Sequence, residues 1–389
     1  MDPYLRQLEF FRRPQQRQTT VLAAIPLAVL LGVQLGCGGG GSSGMPGGGE
    51  PPPRTFTTID DAAAGSSSEQ GTFPLAVNPA GEVAGYYIDP SGYYHGFIRN
   101  SEGVMTTVDP SANGNSGTVI NAIDATGETS GYYFDSQNAE HSFVRNSGGT
   151  ITTFDPPNST SGAQSINDNG TVAGGCLDEN GAHGFLRAPN GIFTTFDPTG
   201  SGAQIEIVIP NQINASGAVT GTYIDNNGVY HGFLRDPSGS ITILDAPGAG
   251  TAAEQGTELR GVNTSGTIAG GISVGTVNGV VGASHSLVLV TSGTYTIFDP
   301  PQAGAHSSIA EAINDSGAVV GTYRDANLVR HGYLRQPDGT FISFDDPEAA
   351  QLPLSTTDDG TNPRSINANG VVVGFYADAN GVRHGFIWQ

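Results

Sequence analysis

"VYHGFLRDPSGSITILDAP", residues 229–247, decides how this chain folds. Period-two alternation puts His231, Phe233 and Arg235 on one face of an extended segment and Gly232 and Leu234 on the other. A turn signal, "DPSG", follows, and then a second β-rich run that ends on Asp245. The stretch recurs with variations: "YYHGFIR" at 93, "AEHSFVR" at 139, "GAHGFLR" at 181, "ASHSLVL" at 283, "VRHGYLR" at 329 and "VRHGFIW" at 382. Aligned on His95, His141, His183, His231, His285, His331 and His384, the seven copies lie 42 to 54 residues apart.

Upstream of each histidine is a turn of the form Asn-x-x-Gly, at Asn78, Asn167, Asn214, Asn263, Asn314 and Asn367, with Asp124 standing in for the asparagine in the second copy. A second glycine follows four residues after the turn glycine, as at Gly85 and Gly221. Each copy thus divides into four short runs rich in Val, Ile, Thr, Phe and Tyr, separated by Gly, Asn, Asp and Pro, which predicts four strands joined by hairpins. Four strands in a period of 40 to 50 residues is the spacing of a propeller blade. "TFTTID" (55–60) reads as a fourth strand without its first three, and "HGFIWQ" (384–389) as a third strand without its fourth. The two fragments complete each other. The expectation is an all-β, seven-bladed β-propeller of four-stranded blades over residues 55–389, closed by the N-terminal strand completing the last blade, which removes open sheet edges. A β-solenoid or another blade count is the competing arrangement.

The rest of the chain reads as an address. Arg6, Arg12, Arg13 and Arg17 precede an apolar run from Val21 to Leu35, too short for a comfortable membrane span and suited to a signal peptide over residues 1–36. Gln34-Leu35-Gly36-Cys37 resembles the lipobox of bacterial lipoproteins, with Gln34 in the place of the usual Leu, and implies a lipid on Cys37. A protein cut nearby and secreted is the alternative. Residues 37–54 carry that cysteine and a Gly/Ser/Pro-rich tether, which holds the domain roughly 20–25 Å from its anchor. Cys176 is the only other cysteine, so a lipidated Cys37 leaves no intrachain disulfide and a buried, inert thiol is expected. All 15 basic residues are arginine against 36 acids, and a net charge of −21 disfavours nucleic acid and anionic membrane surfaces. Membrane contact is expected through the N-terminal lipid alone, whereas cationic ligands and neutral glycans stay open.

The "HGFLR…ITTFD" unit with its "IN..G..VG.Y" lead resembles the bacterial extracellular HAF repeats, named for a His-Ala-Phe core, across about residues 55–389. Here His-Gly-Phe or His-Ser-Phe stands in its place. The resemblance implies export and a repeat architecture and implies no particular chemistry.

Two sets of aspartates accompany the histidines: Asp89, Asp135, Asp178, Asp225, Asp325 and Asp378 before the third strand, and Asp60, Asp109, Asp155, Asp197, Asp245, Asp299 and Asp345 after the fourth. The chain topology gathers both sets and the histidines at one face, with the Asn-x-x-Gly turns at the other. A ring of metal or acid–base sites would use these residue types. Chemistry is done once per site, however, and residues present in nearly every copy read as a structural cassette, with the arginines (Arg99, Arg145, Arg187, Arg235, Arg335) satisfying a carboxylate or stacking on a ring. Trp388 takes the arginine's place in the last copy and reads as a plug. The "DNNG"-type turns lack a complete calcium loop, and no phosphate loop, zinc spacing or nucleophile elbow occurs, so no catalytic residue, metal ligand or cofactor is assigned; calcium is a minor option.

If the repeats are scaffold, function sits in the departures from them. Copy five loses both the turn aspartate and the arginine, and the long connections at 201–212, 247–259 and 346–364 supply candidate binding residues: Glu206, Glu254, Glu258, Glu348, Asp358 and Asp359, with His306 in another connection. Tyr86, Tyr94 and Tyr132 are candidates for stacking on sugars or for packing. The leading expectation is a lipid-tethered or secreted cell-envelope module that binds protein or glycan without catalysis. The alternative is a carbohydrate-active hydrolase or lyase with its site over the channel, built on a pair of these carboxylates.

Overall fold

The computed structural model describes residues 54–110, 117–198, 205–275, 283–304, 307–351 and 359–389. The expected signal peptide, Cys37 and nearly all of the tether lie outside the described residues, as do His306 and Asp358. Every element among the described residues is a β-strand, and the strands form four-stranded antiparallel units in chain order. Copy three is typical, with strands Thr160–Ile166, Val172–Asp178, Gly181–Arg187 and Phe193–Phe196 pairing in sequence. The last copy supplies three strands, Thr361–Ile366, Val372–Ala377 and Arg383–Trp388. Its third strand pairs antiparallel with Phe56–Thr58, Phe56 opposite Trp388 and Thr58 opposite Phe386.

The alternation read from the sequence decides the packing. Phe97, Phe143, Phe185, Phe233, Leu287, Tyr333 and Phe386, two residues after each histidine, are fully buried. Truncating one such phenylalanine to alanine would cost about 3–5 kcal/mol. Every first strand carries a bulge, for example between Pro74 and Ala76 and between Leu259 and Gly261. The bulge turns a carbonyl against the second strand, which explains the repeated second glycine. A Cβ on Gly85 would lie 2.1 Å from the Phe73 oxygen, and one on Gly221 2.2 Å from that of Ile209.

Successive units are joined at the Asn-x-x-Gly turns. Each asparagine side chain accepts from its own turn through Oδ1, as in Glu82 N–H to Asn78 (2.9 Å), and donates through Nδ2 to the next copy's backbone. Asn78 reaches the Asp124 carbonyl (3.1 Å), Asn167 that of Asn214 (3.1 Å), Asn214 that of Asn263 (2.9 Å), Asn263 that of Asn314 (3.2 Å) and Asn314 that of Asn367 (3.0 Å). Asn367 then donates to the carbonyl of Asn78, 289 residues away, at 2.9 Å. Asp124 interrupts the series. Its Oδ1 accepts from Thr126 and Glu128, but its Oδ2 is buried with no hydrogen-bond partner.

Candidate functional site

Each histidine sits at the start of a third strand, in six of the seven copies between the two aspartates that the sequence places at this end. Nδ1 meets the aspartate after the fourth strand at 2.6 to 2.9 Å in all seven copies. In the last copy that partner is Asp60, 324 residues from His384. Nε2 faces the other aspartate, at 3.2 Å for His183 and Asp178 and 3.4 Å for His141 and Asp135, widening to 3.9 Å for His231 and Asp225. Copy five has Val274 where this second aspartate would stand. A tyrosine two residues before the aspartate covers the imidazole in five copies, Tyr223 on His231 at 4.7 Å being the closest. This Tyr-x-Asp signal was legible in the sequence and was not read. Cys176 occupies the tyrosine's position in copy three, and burial pushes its thiol up to about 12.

In His141, His183, His331 and His384 the two carboxylates beside the imidazole favour the charged ring. Hydrogen bonds donated to Asp345 and Asp60 hold His331 and His384 above the usual histidine value, and in His141 and His183 burial pulls the other way but the aspartates outweigh it. A ring nitrogen that donates to a carboxylate offers no lone pair to a metal ion or a substrate proton. Among the described residues no group of three or more His, Cys, Asp or Glu converges as a metal site.

At the opposite end of the third strand three of the five arginines stack on the preceding copy and stand away from the carboxylates. Arg187 lies over Phe154 (4.6 Å), Arg235 over Phe196 (5.4 Å) and Arg335 over Phe298 (4.8 Å). Trp388 stacks at 4.0 Å on Phe344 and is itself covered by Arg54 at 4.5 Å. Tyr86 is sandwiched between Phe73 and Tyr94, at 4.6 and 5.2 Å, and Tyr132 is buried.

The candidate acids do not share one environment. Glu258 is not in a loop: it lies in the strand Gly256–Val262, buried, 3.4 Å from Arg260, which also pairs with Glu311. Asp359, 1% exposed, is held by Arg324 at 2.8 Å and faces Arg330 at 3.7 Å. Both are spent on ion pairs, because a buried carboxylate needs a cation beside it. Glu206 is half-buried in the strand Ile205–Ile213, and Glu254 is an exposed turn residue with φ of 63°. Glu348 is exposed and accepts from the Tyr376 hydroxyl at 2.8 Å. Near it Asp346 is buried, its Oδ2 lacks a partner, and burial raises its carboxyl, with the Glu348 charge adding to the effect.

A belt of side chains three residues before each turn asparagine escaped the sequence reading. These bulge residues are Leu75, Asn121, Gln164, Asn211, Arg260, Glu311 and Arg364, polar in every copy but the first. Asn121 donates to the Ala163 carbonyl (2.9 Å) and Asn211 to that of Leu259 (2.7 Å), while Arg260 and Arg364 both reach Glu311.

No protein-family model matches the sequence, and no curated protein matches it. Among solved structures the chain is similar to virginiamycin B lyase from Staphylococcus aureus, with a TM-score of 0.53, 14% identity and coverage of 86% of this chain and 99% of that one. It is similar to oligogalacturonate lyase from Vibrio parahaemolyticus (TM-score 0.57, 10% identity, 87% and 97% covered). It is also similar to the BP39L lectin from Burkholderia pseudomallei (TM-score 0.51, 10% identity, 85% and 98% covered). At such identities the likeness shows the fold alone, a propeller-like array of four-stranded sheets.

Proposed function

We propose that the chain is an exported module of the cell envelope, tethered through a lipid on Cys37 or secreted, that binds glycan or protein without catalysis on a seven-bladed propeller. Closure by Phe56–Thr58 is supported by its pairing with the last strand, by the His384–Asp60 bond and by the Asn367–Asn78 link. The observation that carries the non-catalytic reading is that all seven histidines meet a carboxylate through Nδ1 in the same way. Such a repeated clamp is a strand tie, similar to the His and Asp ties of WD-repeat propellers. The resemblance to HAF repeats supports the extracellular location. Propeller neighbours include a lectin as well as lyases, which is compatible with recognition on this scaffold.

A second reading, a carbohydrate-active hydrolase or lyase, is favoured by one observation, the raised carboxyl of Asp346 beside Glu348 and Tyr376. A thermal-shift panel with soluble neutral polysaccharides, calcium and EDTA tests the proposal. Ligand at 100 times its Kd stabilises by about 2.7 kcal/mol. A shift with a glycan that stays intact supports the module; a glycan that is degraded supports the second reading. A shift with calcium alone would count against both. Palmitate labelling that is lost in Cys37→Ala tests the anchor, and unlabelled protein in the medium would point to secretion.

A further inference from the structure

The two ends of the strands differ in charge. Each third strand starts at the histidine end, as Tyr94–Arg99 and Arg330–Arg335 do, and finishes at the end where the Asn-x-x-Gly turns lie. The seven aspartates after the fourth strands and the six before the third stand at the histidine end, against three arginines, Arg324, Arg330 and Arg383. Even with every imidazole charged, these aspartates outnumber the cations of that end, and Glu254 and Glu348 of the inter-unit connections add to them. At the opposite end stand six arginines, Arg54, Arg99, Arg145, Arg187, Arg235 and Arg335, where eight turn carboxylates leave the charge close to balance.

The Asn-x-x-Gly end forms one common face. The asparagine side chains tie neighbouring turns side by side, from Asn78 to Asp124 and onward to Asn367, which returns to Asn78. The turns between third and fourth strands share this face, since a Cβ on Gly127 would lie 3.7 Å from the Cβ of Ser147. The chain also enters the domain here. Arg54 donates to the Gly370 carbonyl at 2.8 Å and lies over Trp388, and Thr55 N–H donates to the Gln389 carbonyl at 2.7 Å. From this point Phe56–Thr58 leads away to Asp60, which meets His384 at the far end.

We propose that the Asn-x-x-Gly face is turned toward the lipid bilayer and that the Asp–His face, with the inter-unit connections, is presented to the aqueous phase. This inference rests on the lipid-anchor reading above. Two physical causes act in the same direction. A strand of six residues spans about 20 Å, close to the roughly 20–25 Å reach expected of the tether. With Arg54 fixed on the Asn-x-x-Gly face, a relaxed tether brings that face to the membrane, whereas presenting the other face would spend the same reach along the side of the domain. Anionic lipid repels the Asp–His face most strongly, over a Debye length of about 8 Å at physiological salt, and repels the balanced face least. The candidate residues Glu254 and Glu348 then meet a ligand that arrives from solution or from an opposing surface, and not from the anchoring membrane.

The test uses the full lipidated chain on phosphatidylethanolamine–phosphatidylglycerol vesicles that carry an energy-transfer acceptor on the headgroups. Fluorophores are attached at pairs of exposed turn residues, one at each end of the same unit: Ser147→Cys and Gln137→Cys in copy two, Ala368→Cys and Ala379→Cys in copy seven. Lipid blocks Cys37 and burial shields Cys176 from the label. Quenching is expected to be at least twofold stronger at Ser147→Cys than at Gln137→Cys, and at Ala368→Cys than at Ala379→Cys. The second pair guards against a variant that fails to fold. Equal or reversed quenching within either pair, in protein that carries palmitate and floats with the vesicles, would overturn the orientation and leave the lipid anchor standing. Protein that neither takes up palmitate nor floats would overturn both.

Discussion

Asp124→Asn should stabilise the protein, because it mends the one break in the series of asparagine links. The substitution keeps the Oδ1 acceptor used by Thr126 and Glu128 and replaces the partnerless Oδ2 with a donor, at the position from which the six asparagines reach the next copy's carbonyl. A new hydrogen bond contributes about 1 kcal/mol, and removing a buried unsatisfied acceptor about 1 kcal/mol or more. The gain is therefore about 2 kcal/mol. Unfolding entropy near 2.1 cal/mol/K per residue gives a domain of this length about 0.7 kcal/mol/K, so the expected rise in Tm is roughly 3 °C. Differential scanning calorimetry reads this directly. Asn263→Asp, which puts the same break at another junction, should lower Tm by a similar amount, and Asp124→Ala, which adds no donor, should gain less than Asp124→Asn. The reasoning is refuted if Asp124→Asn leaves Tm unchanged while Asn263→Asp is harmless.

Removing one clamp by His331→Ala breaks the 2.7 Å bond to Asp345 and takes a cation from Asp325, a loss of about 3 kcal/mol and roughly 4 °C in Tm; an unchanged melting curve would deny the clamp a structural role. His141, His183, His331 and His384 have raised folded values, so their contribution is complete below the unfolded value of 6.5 and is lost as pH climbs through the folded ones. Asp89, Asp178, Asp225, Asp325 and Asp378, whose partial desolvation is outweighed by turn hydrogen bonds and the imidazoles, are lowered; they contribute above 3.8 and lose that only as pH falls through their folded values. Tm should hold between about pH 4 and 6.5 and decline toward pH 9; a rise over that upper range would contradict the assignment. Cys176, buried with its thiol near 12, should resist a thiol reagent at pH 8 until the chain unfolds, as peptide mapping would register separately from Cys37.

What the sequence disclosed and what it withheld follow from one physical difference. Strand positions, the buried residue of each His-x-Phe pair and the His–Asp partnership depend on period-two alternation and on short turns, which are local and repeated in every copy. The second glycine was visible as a pattern, but its cause was not, because the carbonyl that excludes a Cβ from Gly85 belongs to a bulge in a different strand. Residues joined across units were harder to place. Asp359 and Glu258 look like free acids until Arg324 and Arg260 are seen beside them. Trp388 was readable as a replacement for arginine, yet its partner Phe344 and its cover Arg54 come from other copies.

Recognition without turnover is tested by incubating the full chain with its best-binding glycan and following cleaved products by chromatography. The prediction is that the glycan is recovered at its original length while still saturating the protein. Shortened or unsaturated products that disappear in Glu348→Gln would contradict the claim and make the carboxylates beside Tyr376 the working site.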